Sequence, residues 1–295
     1  MQLFSKKCVR TVCMLTASLF LITLILSGCR LAPTPARKAA APDYGPLKRE
    51  VEKFTAATGA TYGVFFKDIP SGATFGINAD KPLKAASLNK LTTVFYLNRL
   101  VADGKLDMRN RVTYNKAEDF NPWGGILETE GIDGQSYSVR TLANLSITLS
   151  DNIAHDMLLR YLGKDKISEF MKSIGGKTVY PGGANVSTAR DMGVYLQAVL
   201  DFTRKQPALG NRLLDDLENT IWDVGLPGRI PAKVLVAHKE GQITGVNNDA
   251  GVVFGNRPYI LVVMSDGILN IDKGFANITT ISRMVYDYQQ KIGRR

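Results

Sequence analysis

Cysteine and histidine are nearly missing from this sequence. Its 295 residues hold three cysteines, Cys8, Cys13 and Cys29, and two histidines, His155 and His238. A Cys/His zinc site is therefore nearly excluded. A serine–histidine–aspartate triad could draw only on those two imidazoles. No cysteine follows Cys29, so the rest of the chain has no disulfide of its own to form outside the cytoplasm. Acidic residues are fewer than basic ones, 27 against 37, giving a formal charge of +10. No basic stripe interleaved with aromatics accompanies that charge, so nucleic acid is not an expected partner. Apolar residues at 45% and charged residues at 22% are ordinary globular proportions. They exclude a disordered chain and a polytopic membrane protein.

What is present begins with an address. Lys6, Lys7 and Arg10 form a basic opening, and residues 11–27 are mostly apolar. Leu26-Ser27-Gly28-Cys29 follows: an aliphatic residue, two small ones and a cysteine. This ending resembles the lipobox of bacterial lipoproteins. It implies a signal peptide over 1–28 and a lipid on Cys29. The chain would then be exported and anchored to the bacterial membrane, facing the envelope or the outside. An uncleaved signal-anchor is the alternative, because the apolar run borders on a spanning length. Residues 29–46, with Pro33, Pro35 and Pro42 among alanines, read as an extended tether. The folded domain is expected over 47–295.

Within it, helices are expected at Leu47–Thr58, Ala86–Val101, Ser138–Leu149, Asn152–Leu162, Ala189–Phe202 and Lys273–Lys291. Strands are expected at Thr61–Ile69, Ala73–Ala79, Lys233–His238, Ala250–Phe254 and Tyr259–Met264. Strands at both ends with helices between them predict an α/β (α+β) fold. Its five-stranded antiparallel sheet is flanked by the terminal helices. A helical lobe over about 108–225 completes it, with a site between the two parts.

Three short motifs carry chemistry. Ser87-Leu88-Asn89-Lys90 opens a helix that is apolar almost all round. Positions i and i+3 share a helix face, so hydroxyl and amine are expected side by side. A lysine there is desolvated, which lowers its pKa and lets it take a proton from serine. Taken alone, the pair is equally a capping serine and a surface lysine. Ser150-Asp151-Asn152 lies between two helices. It is either an N-cap cluster or a hydroxyl relay beside a substrate-facing amide. Lys239-Glu240-Gly241-Gln242 ends a strand. It reads as an edge lysine that blunts aggregation, or as a cleft-lining lysine beside a glycine that admits substrate. Trp123 precedes the Ser-Asp-Asn helix and is either a wall of the cleft or lobe packing. His155 reads as a structural hydrogen-bonder. His238, on the alternate strand face from Lys239, should point away from the site.

Order and spacing add what the parts lack. Ser-x-x-Lys, Ser-Asp-Asn and Lys-x-Gly occur in that sequence, each in a fitting context. Lys81–Leu106, Leu142–Leu159, Gly225-Leu226-Pro227 and Asn248–Val253 extend the similarity over most of the chain from Leu47. The chain resembles the serine β-lactamase and penicillin-binding-protein superfamily, class A β-lactamases in particular. The resemblance implies Ser87 as nucleophile, Lys90 as its base and Ser150 as proton relay, with Lys239 setting the electrostatics. It implies Asn152 as a substrate-orienting amide, and an oxyanion hole from the N–H groups of Ser87 and Gln242. A β-lactam or a peptidoglycan-type small substrate is the implied partner. A monomer is expected, and no metal or organic cofactor is implied.

Two departures stand out. The family's hydroxyl after the late lysine helps bind a substrate carboxylate, and here that residue is Glu240. A glutamate repels a carboxylate unless it is neutralised or turned toward Lys239. The family's class A members also carry a water-positioning glutamate on an Ω-loop. The corresponding Ile174–Ser187 holds no acid, so deacylation through such a residue is not expected to be fast. Three readings follow. They are a slowly deacylating β-lactamase or penicillin-binding protein, a serine amide or ester hydrolase for a substrate without a carboxylate, and a vestigial envelope binding protein.

Overall fold

Two stretches from opposite ends of the chain supply one sheet. The computed structural model describes residues 42–293. The expected leader, the lipid acceptor Cys29 and most of the 29–46 tether lie outside the described residues. Strands β1 (Thr61–Asp68), β2 (Thr74–Ile77), β3 (Val236–Ile243), β4 (Val246–Val253) and β5 (Tyr259–Asp266) are all antiparallel, in the order β2-β1-β5-β4-β3. The expected sheet is therefore present, with β3 at one edge.

Alternation along the strands decides which side each residue covers. Tyr62, Val64 and Phe66 of β1 and Leu261 and Val263 of β5 pack with α1 (Gly45–Ala57) and α8 (Ile271–Ile292). Phe65, Val262, Ala250 and Ala237 face the other way, into the core shared with the remaining helices. A polar seam ties the first layer together. Arg257 grips Asp68 with two bonds of 2.8 and 2.7 Å, and Gln289 Nε2 donates to the same carboxylate at 3.1 Å. Tyr44 donates to Gln289 Oε1 at 2.8 Å, and Tyr288 to the Asp43 carbonyl at 2.6 Å.

On the other side, α2 (Lys90–Ala102) is the central rod. It packs against α3 (Val139–Thr148), α4 (Asn152–Leu162), α5 (Lys164–Ser173) and α7 (Pro207–Glu218). The helical region is not detached from the sheet. Helix α6 (Ala189–Lys205) lies directly on β1, β4 and β5. Leu91, Val94 and Leu97 are buried on the rod, and Leu88 is buried in the turn before it.

Most expected boundaries fall within a few residues of the observed ones. Three differ for physical reasons. The third strand, expected over Lys233–His238, runs from Val236 to Ile243, and its partner starts at Val246, turning at Thr244-Gly245. The polar His-Lys-Glu-Gly-Gln run does not alternate in hydropathy, because this strand borders a polar site. The expected helix from Ala86 opens as a separate 3-10 turn, Ala86–Asn89, before α2 begins. Helices α5 and α7 have no counterpart among the expected elements.

Candidate active site

The chain enters α2 through a strained turn. Ala86 has φ +50, a left-handed value for a non-glycine residue, and Ser87 follows half-buried in the 3-10 turn. Lys90, the first residue of α2, is only 3% exposed. Its Nζ donates to the Ser150 carbonyl, to Asn152 Oδ1 at 2.6 Å and to Ser150 Oγ at 3.3 Å. Burial, reinforced by the charge of Lys239, pushes the Lys90 amine down to about 7. A lysine in that range is a proton acceptor at neutral pH.

The Ser150-Asp151-Asn152 segment is held by its middle residue. Asp151 caps α4 by accepting from Ala154 N–H at 2.8 Å, and its other oxygen accepts from Leu127 N–H at 2.9 Å. Gly125 packs on it so closely that a Cβ would lie 2.9 Å from Asp151 Oδ2. Ser150 takes a left-handed φ of 54, which aims its carbonyl and hydroxyl at the two lysines. Asn152 accepts from Lys90, donates from Nδ2 to the Trp123 carbonyl and donates from its backbone N–H to Gly124 O at 2.6 Å. Trp123 thus meets the site through its backbone. Trp123 is itself 83% exposed, so lobe packing is not its role.

The third contribution comes from the edge strand. Lys239 is fully buried and donates to Ser150 Oγ at 3.0 Å and to the Glu240 carbonyl at 3.1 Å. It also ion-pairs with the Glu240 carboxylate. Glu240 is buried as well, and its Oε2 accepts from Thr220 Oγ1 at 3.4 Å. Burial alone would raise the Glu240 carboxyl, but the Lys239 ammonium outweighs it and holds the carboxyl below its ordinary value. Gly241 lies against the nucleophile turn: a Cβ there would sit 2.8 Å from Ala85 O and 3.1 Å from Ser87 N. A side chain would therefore push strand and turn apart. Gln242 follows, half-buried. Ser87, Lys90, Ser150, Asn152, Lys239, Glu240, Gly241 and Gln242 thus converge from α2 and the turn before it, the α3–α4 link and β3.

The two histidines stand apart from this arrangement. His155 Nε2 shares a 3.1 Å hydrogen bond with Thr93 Oγ1, and burial pushes its pKa down to about 3, so it is neutral. His238 Nδ1 bonds Asp249 at 2.9 Å on the buried side of β3. Among the described residues no group of three His, Cys, Asp or Glu side chains is placed to hold a metal ion.

Residues 46–289 match the model of the beta-lactamase enzyme family. The chain belongs to that family. It is 24% identical to the extended-spectrum beta-lactamase PER-1 of Pseudomonas aeruginosa, over 83% of this chain and 88% of that protein. It is 26% identical to a beta-lactamase of Bacillus licheniformis, over 84% of this chain and 86% of the relative. Among solved structures it is similar to PBP-A, in its L158E mutant as an acyl-enzyme complex with penicillin G. The TM-score is 0.78 and the identity 26%, covering 83% of this chain and 97% of that one. An ancestral class A beta-lactamase gives a TM-score of 0.74 at 26% identity, covering 82% of this chain and 99% of that one.

Three residues that shape this family site here were not singled out from sequence. Thr220 steadies Glu240. Asn248 is fully buried on β4 and donates to the carbonyls of Lys84 and Ala85 at 2.9 and 3.2 Å, tying the sheet to the nucleophile turn. Asn185, in the Ile174–Ser187 loop, bonds that turn from the other side. Only Asn248 left a signal, inside a segment already similar to the family.

Proposed function

We propose that this protein is a serine acyl-transfer enzyme that forms an acyl-enzyme on β-lactams or cell-wall peptides and releases it slowly. One observation carries the reading: a buried Lys90 amine, with its pKa near neutrality, bonded to both Ser150 and Asn152 and three positions after Ser87 in the chain. Neutral Lys90 takes the Ser87 Oγ proton as that oxygen attacks the carbonyl carbon. The oxyanion then faces the N–H groups of Ser87 and Gln242. The C–N bond breaks, and the leaving nitrogen takes the Ser150 hydroxyl proton. Ser150 is re-protonated from the Lys90 ammonium, while Lys239 stabilises the relay. Deacylation needs an activated water, and the Ile174–Ser187 loop brings no carboxylate to do it. Intact-protein mass spectrometry after incubation with penicillin, with Ser87→Ala as control, tests this. A Ser87-dependent adduct is expected, and its absence refutes the reading for this substrate class.

The Lys239–Glu240 ion pair favours a second reading: a serine amide or ester hydrolase whose substrate has no free carboxylate. The protein's own carboxylate already occupies the ammonium that would hold one. Labelling by a fluorophosphonate probe without a penicillin adduct would select it. No labelling by either would leave a binding protein of the envelope. From the sequence we also propose lipid attachment at Cys29. A Cys29→Ala variant that stays in the membrane fraction would refute it.

A further inference from the structure

Asn185 reaches back from the loop before α6 to the turn that carries Ser87. Its backbone carbonyl accepts from Ala85 N–H at 3.0 Å. Its Nδ2 donates to the Ala86 carbonyl at 2.9 Å. Its Oδ1 accepts from Asn89 Nδ2 at 2.7 Å. Asn89 is itself buried, and its own Oδ1 has no partner. The bond to Asn185 is therefore what fixes that side-chain amide.

The middle bond has a directional consequence. The Ala86 carbonyl and the Ser87 N–H belong to one peptide group, which is planar and trans. Oxygen and hydrogen point to opposite sides of it. Gripping the oxygen from the Asn185 side aims the N–H away, toward Gly241 on β3. Among the described residues no acceptor takes the Ser87 N–H. On that side a Cβ at Gly241 would lie 3.1 Å from the Ser87 nitrogen. Ala86 needs such a grip. Its left-handed φ of +50 is a strained backbone state for alanine, of the kind that persists only when surrounding bonds over-determine it. Donation to the carbonyl also polarises the peptide, which makes its N–H a better donor.

We infer that Asn185 is a positioning residue for acylation: it holds the Ala86–Ser87 peptide so that the Ser87 N–H points at the oxyanion. The inference rests on the acyl-transfer reading above, and it gives the carboxylate-free loop a part in acylation rather than in deacylation.

Asn185→Asp separates this part from space filling. An aspartate retains an acceptor for Asn89 Nδ2 but cannot donate to the Ala86 carbonyl. With a penicillin reporter, the limiting acylation rate of Asn185→Asp should fall about 10- to 100-fold, with the half-saturating concentration unchanged. Asn185→Ala should fall at least as far. An arylboronate, which presents a tetrahedral oxygen to the same N–H groups, should bind the variant more weakly by a similar factor. The Ser87 amide 1H–15N resonance should move. Wild-type acylation in Asn185→Asp, or a loss only in half-saturation, overturns the inference. If wild type and Ser87→Ala alike form no adduct, the acyl-transfer reading fails instead. The Ser87 amide resonance then still decides whether Asn185 aims the peptide, and an unmoved resonance rejects it.

Discussion

Glu240 turns its carboxylate onto the ammonium of Lys239, its own neighbour along the strand. Both groups are buried, and Ser150 Oγ completes the cluster at 3.0 Å from Lys239 Nζ. The positive charge next to the serine is thus matched from within the protein. A substrate carboxylate arriving there meets a neutral pair instead of a free cation. Replacing Glu240 with threonine should raise the second-order rate of penicillin acylation by about tenfold, the equivalent of about 1.4 kcal/mol of recovered attraction to the Lys239 ammonium. Fluorescent penicillin labelling in a time course measures this. An unchanged rate would reject neutralisation of Lys239 as the block.

The Lys90 amine governs the pH profile. Acylation should climb with pH and level off above an inflection at about 7, where Lys90 loses its proton. Glu240 opposes the downward shift of Lys90. In Glu240→Gln the inflection should therefore move to lower pH. Stopped-flow acylation over about two pH units either side of neutrality decides it. A flat profile in the wild type would remove Lys90 from the role of base.

Release of the acyl group should be the slow step. No Asp or Glu stands in Ile174–Ser187. The penicillin adduct on Ser87 should accordingly persist after free drug is removed, with a burst of one equivalent followed by little turnover. Intact mass followed over hours reads this directly. Rapid return of the unmodified mass would show that another group activates water.

His238 should make stability depend on alkaline pH. Burial opposes its protonation, but Asp249 and Asp223 outweigh burial and raise it to about 9, above the ordinary 6.5. A group raised on folding stabilises fully below the unfolded pKa and loses that contribution as pH passes the folded one. The protein should therefore lose on the order of 2 kcal/mol between about pH 6.5 and 9. His238→Asn should flatten that slope. Urea melts at several pH values test both, and a wild-type slope of the opposite sign would refute the linkage.

The sheet, its flanking helices and the central rod were legible because burial imposes simple periods. Leu47 and Val51 recur one helical turn apart, and Tyr62, Val64 and Phe66 alternate along β1. The same logic hid the second half of β3, whose residues serve the polar cluster rather than a core. Helix α5 buries only Ile167 and Met171, a stripe too thin to notice. The three motifs gave the positions that converge, but not where Glu240 points, since a side-chain rotamer depends on which charge lies within reach. Asn185 was invisible for a different reason. Its partners Ala86 and Asn89 are 99 and 96 residues away, and an asparagine in a Gly/Pro loop has an ordinary local explanation.

The seam that joins Tyr44, Asp43, Gln289 and Tyr288 brings the two ends of the described chain together, behind the sheet and across it from Ser87. Linking those ends and opening the chain at an exposed loop would preserve every layer, so the protein is suited to circular permutation. A dye or other label attached near Asp43 or Tyr288 would likewise stand at the molecule's back and leave the serine unobstructed.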